Sequence, residues 1–136
     1  MPVIDASVYI ALINANEPEH ATCWTWFSTA RAAQETILAP VILLAEVGAA
    51  LSRGTGDAQL ADQVVKQLTS AGMIELIPVT LPLAERAATI AANHRIRGCD
   101  AIYVALAEQS NSPLVTLDQQ QLNRATSIIT TYKPQP

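Results

Sequence analysis

A chain of 136 residues has room for one domain with a core of its own, and half of these residues are hydrophobic while only 4% are aromatic, so that core must be aliphatic. The net charge of -4 argues against a nucleic-acid partner only until its distribution is considered. The longest apolar run, 37–45, contains Pro40 and stops at Glu46, which excludes a bilayer-spanning helix. The N-terminus has neither the basic region nor the apolar segment of a signal peptide, and a cytoplasmic location is expected. Cys23 and Cys99 form no disulfide framework and no paired zinc motif, and both are expected to be reduced and partly buried.

Taken in order, Val3-Ile4 reads as a short buried strand, with Pro2 tolerated at its start and Asp5 closing it. An apolar helix over 7–14 follows, then a break at Asn16-Glu17-Pro18-Glu19 and a second helix carrying Trp24, Trp26, Phe27 and Ala30. Residues 36–39 read as a strand. Pro40 suits the first turn of a helix running from 41 to about 53, where Gly54-Thr55-Gly56 ends it. Asp57 caps a helix to residue 70, with Leu60, Val64, Val65 and Leu68 at helical spacing. A strand over 73–79 and a helix over 83–94 come next, the helix with Ala84, Ala87, Ala88 and Ala91 on a close-packing face.

The stretch 98–118 then gives a helix opening on Asp100 and a buried strand ending at Asp118. A short helix over 119–124, a last strand over 127–131 and a disordered Pro134-Gln135-Pro136 tail complete the chain. Strands alternating with helices predict an α/β fold with a mainly parallel central sheet of about five short strands between helical layers. One domain is expected over 1–132, with 133–136 as a short tail.

Four acids stand in apolar surroundings: Asp5, Glu46, Asp100 and Asp118. Burying a carboxylate among aliphatics is costly unless something pairs with it, so four such positions point to a metal-binding site. Setting these four aside leaves eight acids against eight Lys and Arg, so the acidic balance does not exclude an anionic substrate. In an open α/β sheet, ligands gather beyond the carboxyl ends of the strands, which is where Asp5 and Asp118 fall. If the first and fourth strands are neighbours, all four acids meet. Singly, Asp5 and Asp118 read as helix N-caps, which is what most such Asp residues are, and Asp100 as a cap or helix-start charge. Glu46, in mid-helix, caps nothing.

These residues resemble the PIN-domain nucleases: Asp5-Ala6-Ser7 after a first strand, Glu46 in the third helix, Asp100-Ala101 opening a helix that runs on as Ala105-Leu106-Ala107, and Thr116-Leu117-Asp118. The small size resembles the VapC-type toxins of toxin–antitoxin pairs. The likeness runs from Val3 to Ile129, and its specificity lies in the order and spacing of the four acids. It implies a three-layer α/β/α sandwich and an acidic quartet of Asp5, Glu46, Asp100 and Asp118 holding Mg²⁺ or Mn²⁺. Ser7 and Thr116 would be polar supports. It also implies an RNA substrate, a cognate antitoxin protein and a homodimer. Leu122 stands where such proteins often carry an aromatic.

Hard oxygen donors suit Mg²⁺ and Mn²⁺, and two such ions serve hydrolysis of a phosphodiester. Arg53, Arg95 and Arg97 are candidate phosphate contacts, each equally explained as a solvated surface charge. With few aromatics for stacking, readout of RNA shape and exposed loops is expected. His20 and His94 read as surface or structural. Glu108, two turns beyond Asp100 and roughly 12 Å away, falls outside the quartet. The rival readings are a receiver-like signalling domain, a phosphatase with a nucleophilic Asp5, and a catalytically inactive interaction module.

Overall fold

The computed structural model describes residues 1–136. Its elements are β1 (Val3–Ile4), α1 (Ala6–Ile13), α2 (His20–Ala32), β2 (Ile37–Pro40), α3 (Ile42–Thr55), α4 (Ala58–Ser70), β3 (Ile74–Ile77), α5 (Leu81–His94), α6 (Gly98–Gln109), β4 (Leu114–Val115), α7 (Gln119–Arg124) and β5 (Thr131–Tyr132). The strands form one sheet in the order β3-β2-β1-β4-β5, and every pairing is parallel. β1 therefore lies between β2 and β4, the adjacency on which convergence of the acids depends.

A parallel sheet needs helices on both faces, and the side-chain period of two assigns each strand residue to one of them. Val3, Leu38 and Leu114 are in register and pack on one face with Leu83, Ala87 and Ile90 of α5 and with the buried residues of α6. Ile4, Ile37, Ala39 and Val115 face the other way, against Val8 and Leu12 of α1, Phe27 of α2, Leu43 and Val47 of α3 and Leu68 of α4. The result is the expected three-layer sandwich. Helix α6 is buried almost all round, from Ala101 through Tyr103 to Ala107, and its alanines allow close approach to β1 and α5.

Helix ends follow the local chemistry. Gly56, at φ 69°, closes α3 in the left-handed region, where its N–H donates to the Ser52 carbonyl. Asp57 caps α4 by accepting from the Leu60 N–H. Helix α5 begins two residues before the expected start, because Pro82 sits in its first turn, where a missing N–H costs nothing.

The last strand lies at 131–132 rather than 127–131. Residues 126–128 instead extend α7 as a turn, Ile128 and Ile129 donating to the Ala125 carbonyl and packing into the core. Residues 133–136 carry no helix or strand, yet Pro134 is buried, so the tail is partly held against the domain. Cys23 is buried as expected, whereas Cys99 is exposed on the first turn of α6. No helix is long and apolar enough to cross a membrane.

Candidate active site

Side by side, β1 and β4 bring Asp5 and the segment Thr116-Leu117-Asp118 to the same edge of the sheet. Two hydroxyls tie these strand ends together. Ser7 Oγ donates to Asp5 Oδ1 at 2.5 Å and accepts from the Leu117 N–H at 3.0 Å. Thr116 Oγ1 donates to Asp5 Oδ2 and accepts from the Asp118 N–H at 3.0 Å. Asp5 also accepts from the Val8 N–H, which makes it the N-cap of α1, and from Gln121 Nε2 at 3.0 Å. Its carboxylate is thus 3% exposed and holds four hydrogen bonds.

Asp118 caps α7, Oδ1 accepting from the N–H groups of Gln120 and Gln121. Its Oδ2 faces Arg97 Nη2 at 3.5 Å. Asp100, in the first turn of α6, accepts from Arg97 Nε at 3.0 Å. Glu46 comes from α3 and accepts from the Tyr103 hydroxyl at 2.5 Å. All four acids line one cleft of about 130 Å³, together with Ser7, Arg97 and Gln121. A roomier apolar hollow of about 380 Å³, between Tyr9, Leu68, Met73 and Ile74, gathers no carboxylates.

Burial dominates the electrostatics. It raises the Asp5 carboxyl to about 6 against the pull of the Ser7, Thr116 and Val8 hydrogen bonds, and the charge of Asp100 adds to the rise. Burial likewise raises Asp100, opposed by Arg97 and reinforced by Asp118. The Tyr103 hydroxyl is raised by burial and then by its bond to Glu46.

A measurable pH dependence follows. Asp5 titrates near 6 when folded and near 3.8 when unfolded, so in that window the folded state binds more protons. Stability in metal-free buffer should therefore rise as pH falls from 7 to 5, by about 1.4 kcal/mol from this group. The urea midpoint should be higher at pH 5, and Asp5→Asn should flatten the trend. An equal or lower midpoint at pH 5 would contradict it.

As folded, no three Asp, Glu, His or Cys side chains close around one point as metal ligands would. The guanidinium of Arg97 lies between Asp100 and Asp118. Two features nevertheless fit a divalent cation. The charged donors are all carboxylates, the preference of Mg²⁺ and Mn²⁺. In addition, the Oε1 of Gln121, a residue 3% exposed and lining the cleft, has no hydrogen-bond partner. A water of a hydrated cation would supply the missing donor.

Arg97 is the one expected phosphate contact that lines the cleft. Arg95 instead closes α5 in the left-handed region, and Arg53 lies in the last turn of α3. Glu108 forms a bidentate pair with Arg86 away from the cleft. His20 Nδ1 lies 2.7 Å from the Ala11 carbonyl, a structural role. The sequence reading missed Tyr103 and Gln121. Tyr103 had a signal, being three residues after Asp100 on the same helical face. Gln121 had none, since nothing separates it from Gln119 and Gln120 before α7 is folded.

Residues 3–126 match the PIN domain family model. The chain belongs to the PIN domain family. No curated protein sequence matches this PIN domain. Solved structures share its fold. VapC20 of Mycobacterium tuberculosis, a sarcin-ricin loop cleaving toxin, is 19% identical with a TM-score of 0.78, over 98% of this chain and 100% of its own. VapBC2 of Rickettsia felis, bound to a DNA fragment from its promoter, is 15% identical with a TM-score of 0.73, over 97% of each chain. A toxin–antitoxin complex from Klebsiella pneumoniae is 16% identical with a TM-score of 0.68, over 98% of each chain. Membership of the family displaces the receiver-like and phosphatase readings.

Proposed function

We propose that this PIN domain is a metal-dependent endoribonuclease and the toxin of a type II toxin–antitoxin pair, with Asp5, Glu46, Asp100 and Asp118 as its acidic quartet. The observation that carries this reading is the meeting of the four carboxylates in one cleft at the carboxyl edge of the sheet. Mg²⁺ or Mn²⁺ held by those carboxylates, two ions during turnover, would activate water and neutralise the charge that develops at the phosphate.

The chain's own residues prepare that site. Asp5 is fixed from four directions, so its orientation is set before substrate arrives. Ser7 and Thr116 each spend their proton on Asp5 and their lone pair on the backbone of 117–118, which locks Asp118 to Asp5. Tyr103 orients Glu46 across the cleft. Arg97, 77% exposed, can reach a backbone phosphate once its carboxylates are otherwise neutralised. Water attack on the phosphorus would break the bond to the 3′ oxygen, leaving a 5′-phosphate and a 3′-hydroxyl.

The toxin assignment draws on the likeness to VapC20 and to toxin–antitoxin complexes, together with the whole-chain coverage. A two-fold dimer and an antitoxin segment lying across the cleft belong to the same reading. Purified protein should cut single-stranded or looped RNA with Mn²⁺ or Mg²⁺ and stop in EDTA, and Asp100→Asn should be inactive. Cleavage that continues in EDTA would reject the metal-dependent mechanism. No cleavage of any RNA would favour an inactive interaction module.

A further inference from the structure

We propose that Arg97 is a built-in competitor for the divalent cation, occupying Asp100 and Asp118 in the metal-free protein and leaving them when the ion binds. This rests on reading the cleft as a cation site. The geometry is that of one cation shared by two acids: Nε is 3.0 Å from Asp100 Oδ2 and Nη2 is 3.5 Å from Asp118 Oδ2. The acids come from different elements, the first turn of α6 and the cap of α7, so the guanidinium bridges the two sides of the cleft. No three acids close into a cage while it is there. Gln121 lines the same cleft, and its buried Oε1 lacks a hydrogen-bond partner that a hydrated occupant would supply.

The backbone beneath Arg97 is anchored while its side chain is free. Arg95 adopts φ 55° to close α5, its carbonyl accepts from Arg124 Nη1 at 2.6 Å, and Ile96 is buried in the core. The Arg97 side chain itself is 77% exposed. Displacement therefore needs only side-chain rotation into solvent, which is a small barrier. The pair is open to solvent on the Arg97 side, with Asp100 14% and Asp118 27% exposed, so its attraction is screened enough for a divalent ion to overcome, yet it still reduces the apparent affinity. Arg97 would thus set the metal concentration at which the site fills, and the released guanidinium would stand beside the cleft as a free cation.

The test is Mn²⁺ binding to the full chain without RNA, followed by the electron paramagnetic resonance signal of free Mn²⁺. Arg97→Gln should bind Mn²⁺ about two- to fivefold more tightly than the wild type. Arg31→Gln, which removes the same charge outside the cleft, should leave the affinity unchanged. In parallel, Mg²⁺ titration of ¹⁵N-arginine-labelled protein should speed solvent exchange at the Arg97 Nε–H as its bond to Asp100 breaks. Equal or weaker binding by Arg97→Gln, or an Nε–H unmoved by saturating Mg²⁺, would overturn the competitor role while leaving the cation site intact. Failure of both wild type and Arg97→Gln to bind Mn²⁺ would overturn the cation reading, and this proposal with it.

Discussion

Asp5→Asn should lose RNA cleavage by at least about a hundredfold and yet melt higher than the wild type in EDTA. The first half follows from the proposed role: disturbing groups that merely support a metal ligand already costs about ten- to a hundredfold, and a ligand should cost no less. The second half follows from burial. With a folded pKa of about 6, Asp5 is mostly charged at pH 7.5 inside a site that excludes water. The rise from 3.8 sets an upper bound of about 3 kcal/mol on what removing that charge returns.

Asparagine has nearly the same shape and can still cap α1 through its oxygen, but its NH₂ replaces an oxygen that accepts from both Thr116 Oγ1 and Gln121 Nε2, so its two N–H groups need new acceptors. One is at hand: Gln121 Oε1 is buried without a partner, and a turn of the Gln121 amide would bring it to the first donor. The Thr116 oxygen can accept from the second only by turning its own proton away, which takes back part of the gain. A net gain of about 1–2 kcal/mol, a few degrees for a chain of this size, is expected by calorimetry. A variant that is both inactive and less stable would mean that Asp5 is first a structural cap.

The second large effect is metal-dependent stability. A cation that binds only the folded state adds RT ln(1 + [L]/Kd), about 2.7 kcal/mol at a hundredfold excess. At about 3 °C per kcal/mol, the wild type should melt roughly 8 °C higher in saturating Mn²⁺ than in EDTA. Asp5→Asn and Asp100→Asn should each lose most of that rise. The gain should also shrink as pH falls through 6, because protons compete with the cation for the raised carboxylates. Equal melting temperatures in millimolar Mn²⁺ and in EDTA would remove the metal site from this protein.

Much of the architecture was legible along the chain. The alternation of short aliphatic runs with helical periods predicted a parallel sheet between helices, because a strand buried on both faces has no polar side to show. Asp57 before a helical period and Gly56 after another marked real helix ends. Edges were less legible: the last strand was misplaced because Ile128 and Ile129 look like strand residues, yet they reach the core from a turn. Aliphatic side chains record that they are buried, not which backbone buries them.

The site divides in the same way. The sequence by itself supplied the candidates, four acids with aliphatic neighbours in the chain and two of them closing strands, whereas the structure buries only Asp5 fully and gives Asp100 and Asp118 a shared cation in Arg97. The meeting of the four acids depended on β1 pairing with β4 across 110 residues of sequence, a contact no local pattern encodes. Tertiary structure also decided the balance of forces. Asp5 is raised chiefly by desolvation, and the like charge of Asp100 adds only a smaller rise. Tyr103 and Gln121 gained their roles only when helices placed them opposite an acid, and Arg97, singled out along the chain for phosphate, proved to face Asp100 and Asp118 from the start of α6. Chain order sets which groups are available, whereas distance and burial set what each one does.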